Sequence, residues 1–224
     1  LPSIHQGTAV GRAGNPDDAR IRNIDNAMLS SAQRKGRFDY MQSLNALQLN
    51  TAGADDGMEA TVKNYELAWR MQMEAPELTD LSGETEATKK IYGIGEKATN
   101  SFGKQCLLAR RMVERGVRYV SVNYSDESNN PRWDQHSNMP KHAEHARNTD
   151  KPVAGLIRDL KARGLLEDTL VWWGGEFGRT PFAQSKDGRD HNPRGFTVFL
   201  AGGGIKSGIS YGATDEIGGV AVDK

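Results

Sequence analysis

Apolar residues recur at helical spacing in the first half of the chain and at strand-like density in the second. Residues 20–49 carry few breakers, and apolar side chains stand at Ile21, Ile24, Met28, Leu29, Phe38, Met41, Leu44, Leu47 and Leu49. Residues 58–73 repeat the pattern with Val62, Tyr65, Leu67, Ala68 and Met71. Recurrence at i, i+3 and i+4 puts such residues on one side of a helix, so both segments are expected to be amphipathic helices with core-facing stripes. Pro76 and Asp80–Leu81–Ser82–Gly83 then interrupt the pattern.

The second half reads as α/β. Phe102, Cys106, Ala109 and Val113 form a helical stripe, and Gly116 stands where a helix-ending glycine belongs. Val117 to Tyr124 is β-branched and aromatic, which predicts a strand. Val153, Leu156, Ile157 and Leu160 define a second helix face, closed by Gly164. Residues 169–173 (TLVWW) predict a second strand running into Gly174–Gly175, and residues 196–200 (FTVFL) a third running into Gly202–Gly203–Gly204. Near-continuous apolar strands separated by helices predict a partial, mostly parallel sheet covered by helices. Three strong strands are few beside the usual five or six or so, so part of the sheet is expected to lie outside the sequence. The expected division is a mostly helical segment over residues 1–96, packing on an α/β core over 97–224 that is incomplete at both ends.

Composition narrows the partners. The 224 residues hold 29 Lys+Arg and 29 Asp+Glu, a formal net charge of zero. The broad basic field used for nucleic acid or anionic membranes is therefore absent. No run reaches the roughly 18 apolar residues of a membrane span. One cysteine, Cys106, excludes an internal disulfide and a cysteine-based metal site. The chain opens at Leu1 without an initiator Met or signal-like segment, as expected of a processed protein or a piece of a longer one.

In open α/β sheets, ligands gather beyond the carboxyl ends of strands. Three loops of that kind carry WDQH (133–136), GGEFGRT (174–180) and GRDHNP (188–193). Asp134, His136, Glu176, Asp190 and His191 are carboxylates and imidazoles, the donors that zinc or another divalent cation takes. Any one of them alone also fits a hydrogen-bonded loop residue. Their joint placement favours a metal cluster. Arg179 and Arg189 suit an anionic ester, because guanidinium matches phosphate or sulfate oxygens bidentately. Gly202–Gly203–Gly204 permits close backbone approach to a ligand. His142 and His145 fall at a helix start and are expected on its solvated face, and His5 has no role. No Gly-x-Ser-x-Gly elbow or phosphate-binding P-loop is present.

Several runs resemble a known family: SFGKQCLLARR (101–111), ERGVR (114–118), WDQH (133–136), LVWWGGEFGRTP (170–181), GRDHNP (188–193), AGGGIK (201–206) and YGATDE (211–216). They are similar to a sulfatase-like family of bacterial exported proteins, of unknown function, in the alkaline phosphatase superfamily. The resemblance runs from about Leu67 to Lys224, and Glu176–Thr180 is its most specific part. It implies an alkaline-phosphatase-like α/β fold and metal-assisted hydrolysis of sulfate or phosphate esters. It also implies twin-arginine export to a periplasmic or extracellular location. The superfamily's nucleophile and one metal-binding Asp lie in an N-terminal portion that this sequence lacks, so the chain reads as a C-terminal-half fragment whose missing partner is its own N-terminal half. Glu176–Phe177–Gly178 stands where the superfamily carries Asp-His-Gly.

The resulting expectation is a metal-dependent hydrolase domain. Asp134, His136, Glu176, Asp190 and His191 hold zinc, calcium or magnesium, and Arg179 stabilises charge on a small-molecule or glycan ester in the transition state. The alternative is a non-catalytic exported binding or scaffold protein on the same fold, which Phe177, in place of an imidazole, favours.

Overall fold

A computed structural model describes residues 9–10, 28–52, 56–126, 128 and 131–223. The expected helical positions Ile21 and Ile24, and His5, lie outside them. The described residues fall into two compact units, divided between Ser82 and Gly83.

The first unit is a pair of helices, α1 (Ser31–Ala52) and α2 (Asp56–Thr79). The start of α1 is set by a reciprocal capping box: Gln33 N donates to Ser30 Oγ, and Ser30 N donates to Gln33 Oε1. Helix α2 runs through Pro76 and stops at Thr79, so Pro76 does not end it as expected. The two helices meet through the stacked rings of Phe38 and Trp69, 4.9 Å apart. Two helices alone cannot enclose their stripes, and Tyr40, Leu44, Leu47, Tyr65 and Leu67 remain exposed.

In the second unit, α3 (Glu86–Ile91), α4 (Asn100–Glu114) and α5 (His142–Ala162) surround a core of Tyr92, Phe102, Cys106, Leu107, Leu108, Ala109 and Leu160. Tyr92 is the centre of the packing. Gly103 of α4 and Gly155 of α5 lie against the backbone carbonyls of Tyr92 and Ile91, where a Cβ at either would overlap them. Burial pushes the Cys106 thiol up to about 12, so it stays protonated. Gly116 and Gly164 adopt the left-handed conformation (φ 83 and 71) just past α4 and α5. At the first of them Val117 N returns to Met112 O, completing a Schellman turn.

One charge organises this helical core. Arg110 is 2% exposed. Its Nη2 lies 2.7 Å from Glu84, its Nη1 2.6 Å from Glu114 and its Nε 2.9 Å from Asp159. Tyr92 OH donates to the same Asp159 at 2.9 Å, and Arg111 and Arg163 close the cluster on Glu84 and Asp159. Burial raises the Glu84 pKa, but hydrogen bonds from Arg110 and Arg111 outweigh it and hold the carboxyl below its ordinary range.

Among the described residues the expected parallel sheet is absent, and with it the alkaline-phosphatase-like fold. The described strands form three two-stranded antiparallel pairs: β1 (Leu170–Trp173) with β4 (Phe199–Gly202), β2 (Gly178–Arg179) with β3 (His191–Asn192), and β5 (Ala213–Thr214) with β6 (Ala221–Asp223). The reason lies between β1 and β4. A parallel neighbour requires a crossover, usually helical, whereas residues 174–198 hold no helix and return the chain antiparallel, pairing Trp173 with Phe199. The strand expected over residues 117–124 joins no ladder, and Tyr119 is exposed. β-propensity becomes a strand only where a neighbour supplies a ladder.

The β1–β4 ribbon is apolar on both faces. Trp172 pairs with Leu200 on one face and Trp173 with Phe199 on the other. Trp172 is 55% exposed, Trp173 and Phe199 46% each and Leu200 40%. No charged residue protects either strand.

Two outcomes are expected. Arg110→Met leaves Glu84 and Asp159 buried without their shared cation and lowers unfolding free energy by about 3–5 kcal/mol in denaturant titrations. The ribbon makes the isolated chain bind a hydrophobic dye and self-associate, and Trp172→Lys with Phe199→Glu, one on each face, reduces both. A monomeric, dye-silent wild-type chain in ultracentrifugation contradicts the second outcome.

Candidate metal centre

Two irregular segments build the site, and backbone hydrogen bonds lace them together. One runs from Pro131 to the short 3₁₀ turn Met139–Lys141, and the other is the hairpin that contains β2 and β3. Met139 N donates to Asp187 O at 2.8 Å and Arg189 N to Gln135 O at 3.1 Å. Gly188 lies flat on the His136 carbonyl, where a Cβ would collide with it. Gln135 is buried and its side-chain amide donates to Arg132 O at 2.6 Å. The hairpin pairs Arg179 with His191 across strands, so both side chains project from one face.

Three side chains converge on a single oxygen, Asp134 Oδ1. His136 Nε2 lies 2.9 Å from it, His191 Nε2 3.0 Å and Arg179 Nη1 2.6 Å. The ligand atoms of Asp134, His136 and His191 all lie within 4.8 Å of one another. Burial raises the Asp134 pKa, but the His191 hydrogen bond and the Arg179 guanidinium outweigh it and keep the carboxyl below its ordinary value.

Gln184 fixes the tautomer of His136. Its Oε1 accepts from Nδ1 at 2.6 Å, so in the neutral ring Nε2 carries a lone pair. That nitrogen lies 2.9 Å from the Asp134 carboxylate oxygen, close enough for both to serve one cation as ligands. An amide or carboxylate on the far nitrogen is the usual way a metal-binding imidazole is oriented. Phe177 holds the other imidazole, with its ring 4.1 Å from that of His191. Asn192 is buried and anchors β3 by donating to Gly219 O at 3.0 Å.

The remaining sequence-derived candidates lie around this trio rather than in it. Asp190 Oδ1 accepts from His191 N at 2.8 Å and stays 3.9 Å from His136 Nδ1, outside the three converging ligand atoms. Glu176 is exposed and is not among those atoms either. Arg189 donates to Gly188 O. Gly202, Gly203 and Gly204 adopt positive φ in the turn that leaves β4. The five expected ligands do not meet at a parallel-sheet edge, because the described strands form none. Gln184 escaped the sequence reading: an isolated Gln carries no signal until the hairpin brings it to His136. His145 was expected in solvent but is 7% exposed, beside Tyr124 and Trp133.

Gly188→Ala is expected to push the hairpin off His136 at a cost of about 1–3 kcal/mol. Amide hydrogen exchange reads this directly, as faster exchange at Met139 and Arg189 while the amides of α4 keep their protection.

Neither the curated proteins nor the solved structures hold a match to this chain, and nothing in these comparisons connects it with the alkaline phosphatase superfamily that its residues resemble. A family model described as a protein of unknown function, DUF1501, matches residues 1–224. The geometry above is therefore that of a DUF1501 protein: the chain belongs to that family over its whole length.

Proposed function

We propose that Asp134, His136 and His191 bind one divalent cation of the zinc type, and that the centre hydrolyses a sulfate or phosphate ester gripped by Arg179. The observation that carries this reading is the convergence of two imidazole nitrogens and a carboxylate oxygen within 4.8 Å. Two nitrogens and one oxygen suit zinc, whereas calcium and magnesium prefer all-oxygen shells. Three protein ligands are also the complement of a catalytic zinc, which keeps a position open. When bound, such a cation supplies Lewis-acid polarisation of an ester oxygen and acidifies a water.

The chain's own residues do the rest. Gln184 holds the His136 ring with Nε2 toward Asp134. Phe177 packs on the His191 ring and excludes water from that side. Arg179 rests on Asp134 Oδ1, which places its guanidinium beside the trio, where it would hold an anionic ester. The second reading, a non-catalytic binding or scaffold protein, is favoured by Phe177, which supplies an apolar ring where a two-cation hydrolase needs another ligand.

Titrating the 224-residue chain with zinc in a calorimeter is expected to show one ion per chain, with binding lost in Asp134→Asn and His191→Ala. Hydrolysis of p-nitrophenyl sulfate or phosphate is expected to need zinc and to fall roughly 10²–10³-fold in Arg179→Ala. Absence of zinc binding, or binding unaffected by both ligand substitutions, overturns the proposal. Binding without hydrolysis leaves the scaffold reading.

A further inference from the structure

We infer that His142, which is not a ligand, positions the Asp134–His136 loop for the cation by gripping the peptide just before Asp134. This rests on the metal-binding reading above. The grip is a single hydrogen bond: His142 Nε2 lies 3.1 Å from the Trp133 carbonyl and donates to it. The same peptide group is held at its other end, where Asp134 N donates to Pro131 O at 2.6 Å. A peptide is planar, so pinning its oxygen and its nitrogen fixes the plane and with it the position of the Asp134 Cα from which the side chain leaves.

The aromatic cluster beneath keeps both partners in register. The Trp133 ring sits 5.2 Å from His142, edge to face, 5.5 Å from His145 and 6.1 Å from Tyr124. Tyr124 OH lies 3.3 Å from His145 Nδ1 and accepts from Asn148 Nδ2 at 2.9 Å. The Arg132 guanidinium lies 4.2 Å over the Tyr124 ring, which ties the residue ahead of Trp133 into the same stack. His142 and His145 stand three apart on the first turn of α5, so one rigid helix presents both rings to the loop. The ring therefore reaches the loop in two ways, by its hydrogen bond to the Trp133–Asp134 peptide and by packing on the Trp133 ring.

Two substitutions separate the hydrogen bond from the packing. His142→Phe keeps an aromatic ring against Trp133 and removes the donor. His142→Gln loses the ring and restores an N–H. Cobalt is the probe, because its affinity and visible d–d bands both report ligand geometry. In His142→Phe, cobalt affinity is expected to drop about 10-fold or more and the d–d bands to shift. Denaturant midpoints are expected to stay at the wild-type value. His142→Gln is expected to recover wild-type affinity and bands. Wild-type behaviour of His142→Phe overturns the inference, and so does a His142→Gln as weak as His142→Phe, which assigns the residue to packing alone. If the wild-type chain binds no cobalt, the metal reading itself fails and takes this inference with it. If the wild-type chain binds, Asp134→Asn does not, and His142→Phe binds with wild-type affinity and bands, only the positioning role is lost.

Discussion

A buried guanidinium must be neutralised where it stands, and Arg110 imposes that demand on the whole second unit. Removing such a charge from water costs several kcal/mol or so even after relaxation. Glu84, Glu114 and Asp159 offset the cost, and they come from the segment before α3, from α4 itself and from the far end of α5. Satisfying one cation therefore fixes three pieces of backbone at once. Tyr92 is enclosed as a consequence, with its hydroxyl spent on Asp159 and its backbone against the two glycines that let α4 and α5 close on it. The price of this arrangement is that removing Arg110 leaves Glu84 and Asp159 with one cation each, Arg111 and Arg163.

The same constraint reaches the candidate centre along α5. Asp159 and His142 lie on one helix, 17 residues apart (159 − 142), or roughly 25 Å at the usual rise. The charge cluster anchors the C-terminal end of that helix, and the N-terminal end presents His142 and His145 to Trp133. The candidate ligands sit on irregular backbone, which is ordinarily the more mobile part of a fold. Here that backbone gains definition from a helix on one side and from the Gln184–Gly188 hairpin on the other.

The helices were legible because their cause is local. Phe102, Cys106 and Ala109 recur at helical spacing and are buried as that spacing implies, and Gly116 and Gly164 end their helices in the conformation only glycine adopts cheaply. The strands were not, because strand pairing depends on what the chain does between them. Residues 170–173 and 199–202 form strands close to where expected, yet pair antiparallel, since continuous apolarity reports two-sided exposure to apolar surroundings and not direction. Within the centre, the chemistry of Asp134, His136 and His191 could be read from residue type. Their separation from Glu176 could not, because it follows from a hairpin register that pairs Arg179 with His191 and leaves Glu176 beyond the strand. His145 was hidden by its position at a helix start, where polar residues usually meet water.

The lack of a helix between β1 and β4 also has a kinetic meaning. Pairing Trp173 with Phe199 closes residues 174–198 into a loop, and that loop carries Phe177, Arg179, Gln184, Gly188 and His191. The entropy of bringing its ends together grows only logarithmically with length, so ribbon closure discharges most of it in a single step. The β2–β3 hairpin nested in that loop closes only residues 180–190, the shorter span of the two. The tryptophan ribbon and the hairpin that meets Asp134 are thus nested closures, and by loop entropy the outer one costs more than the inner.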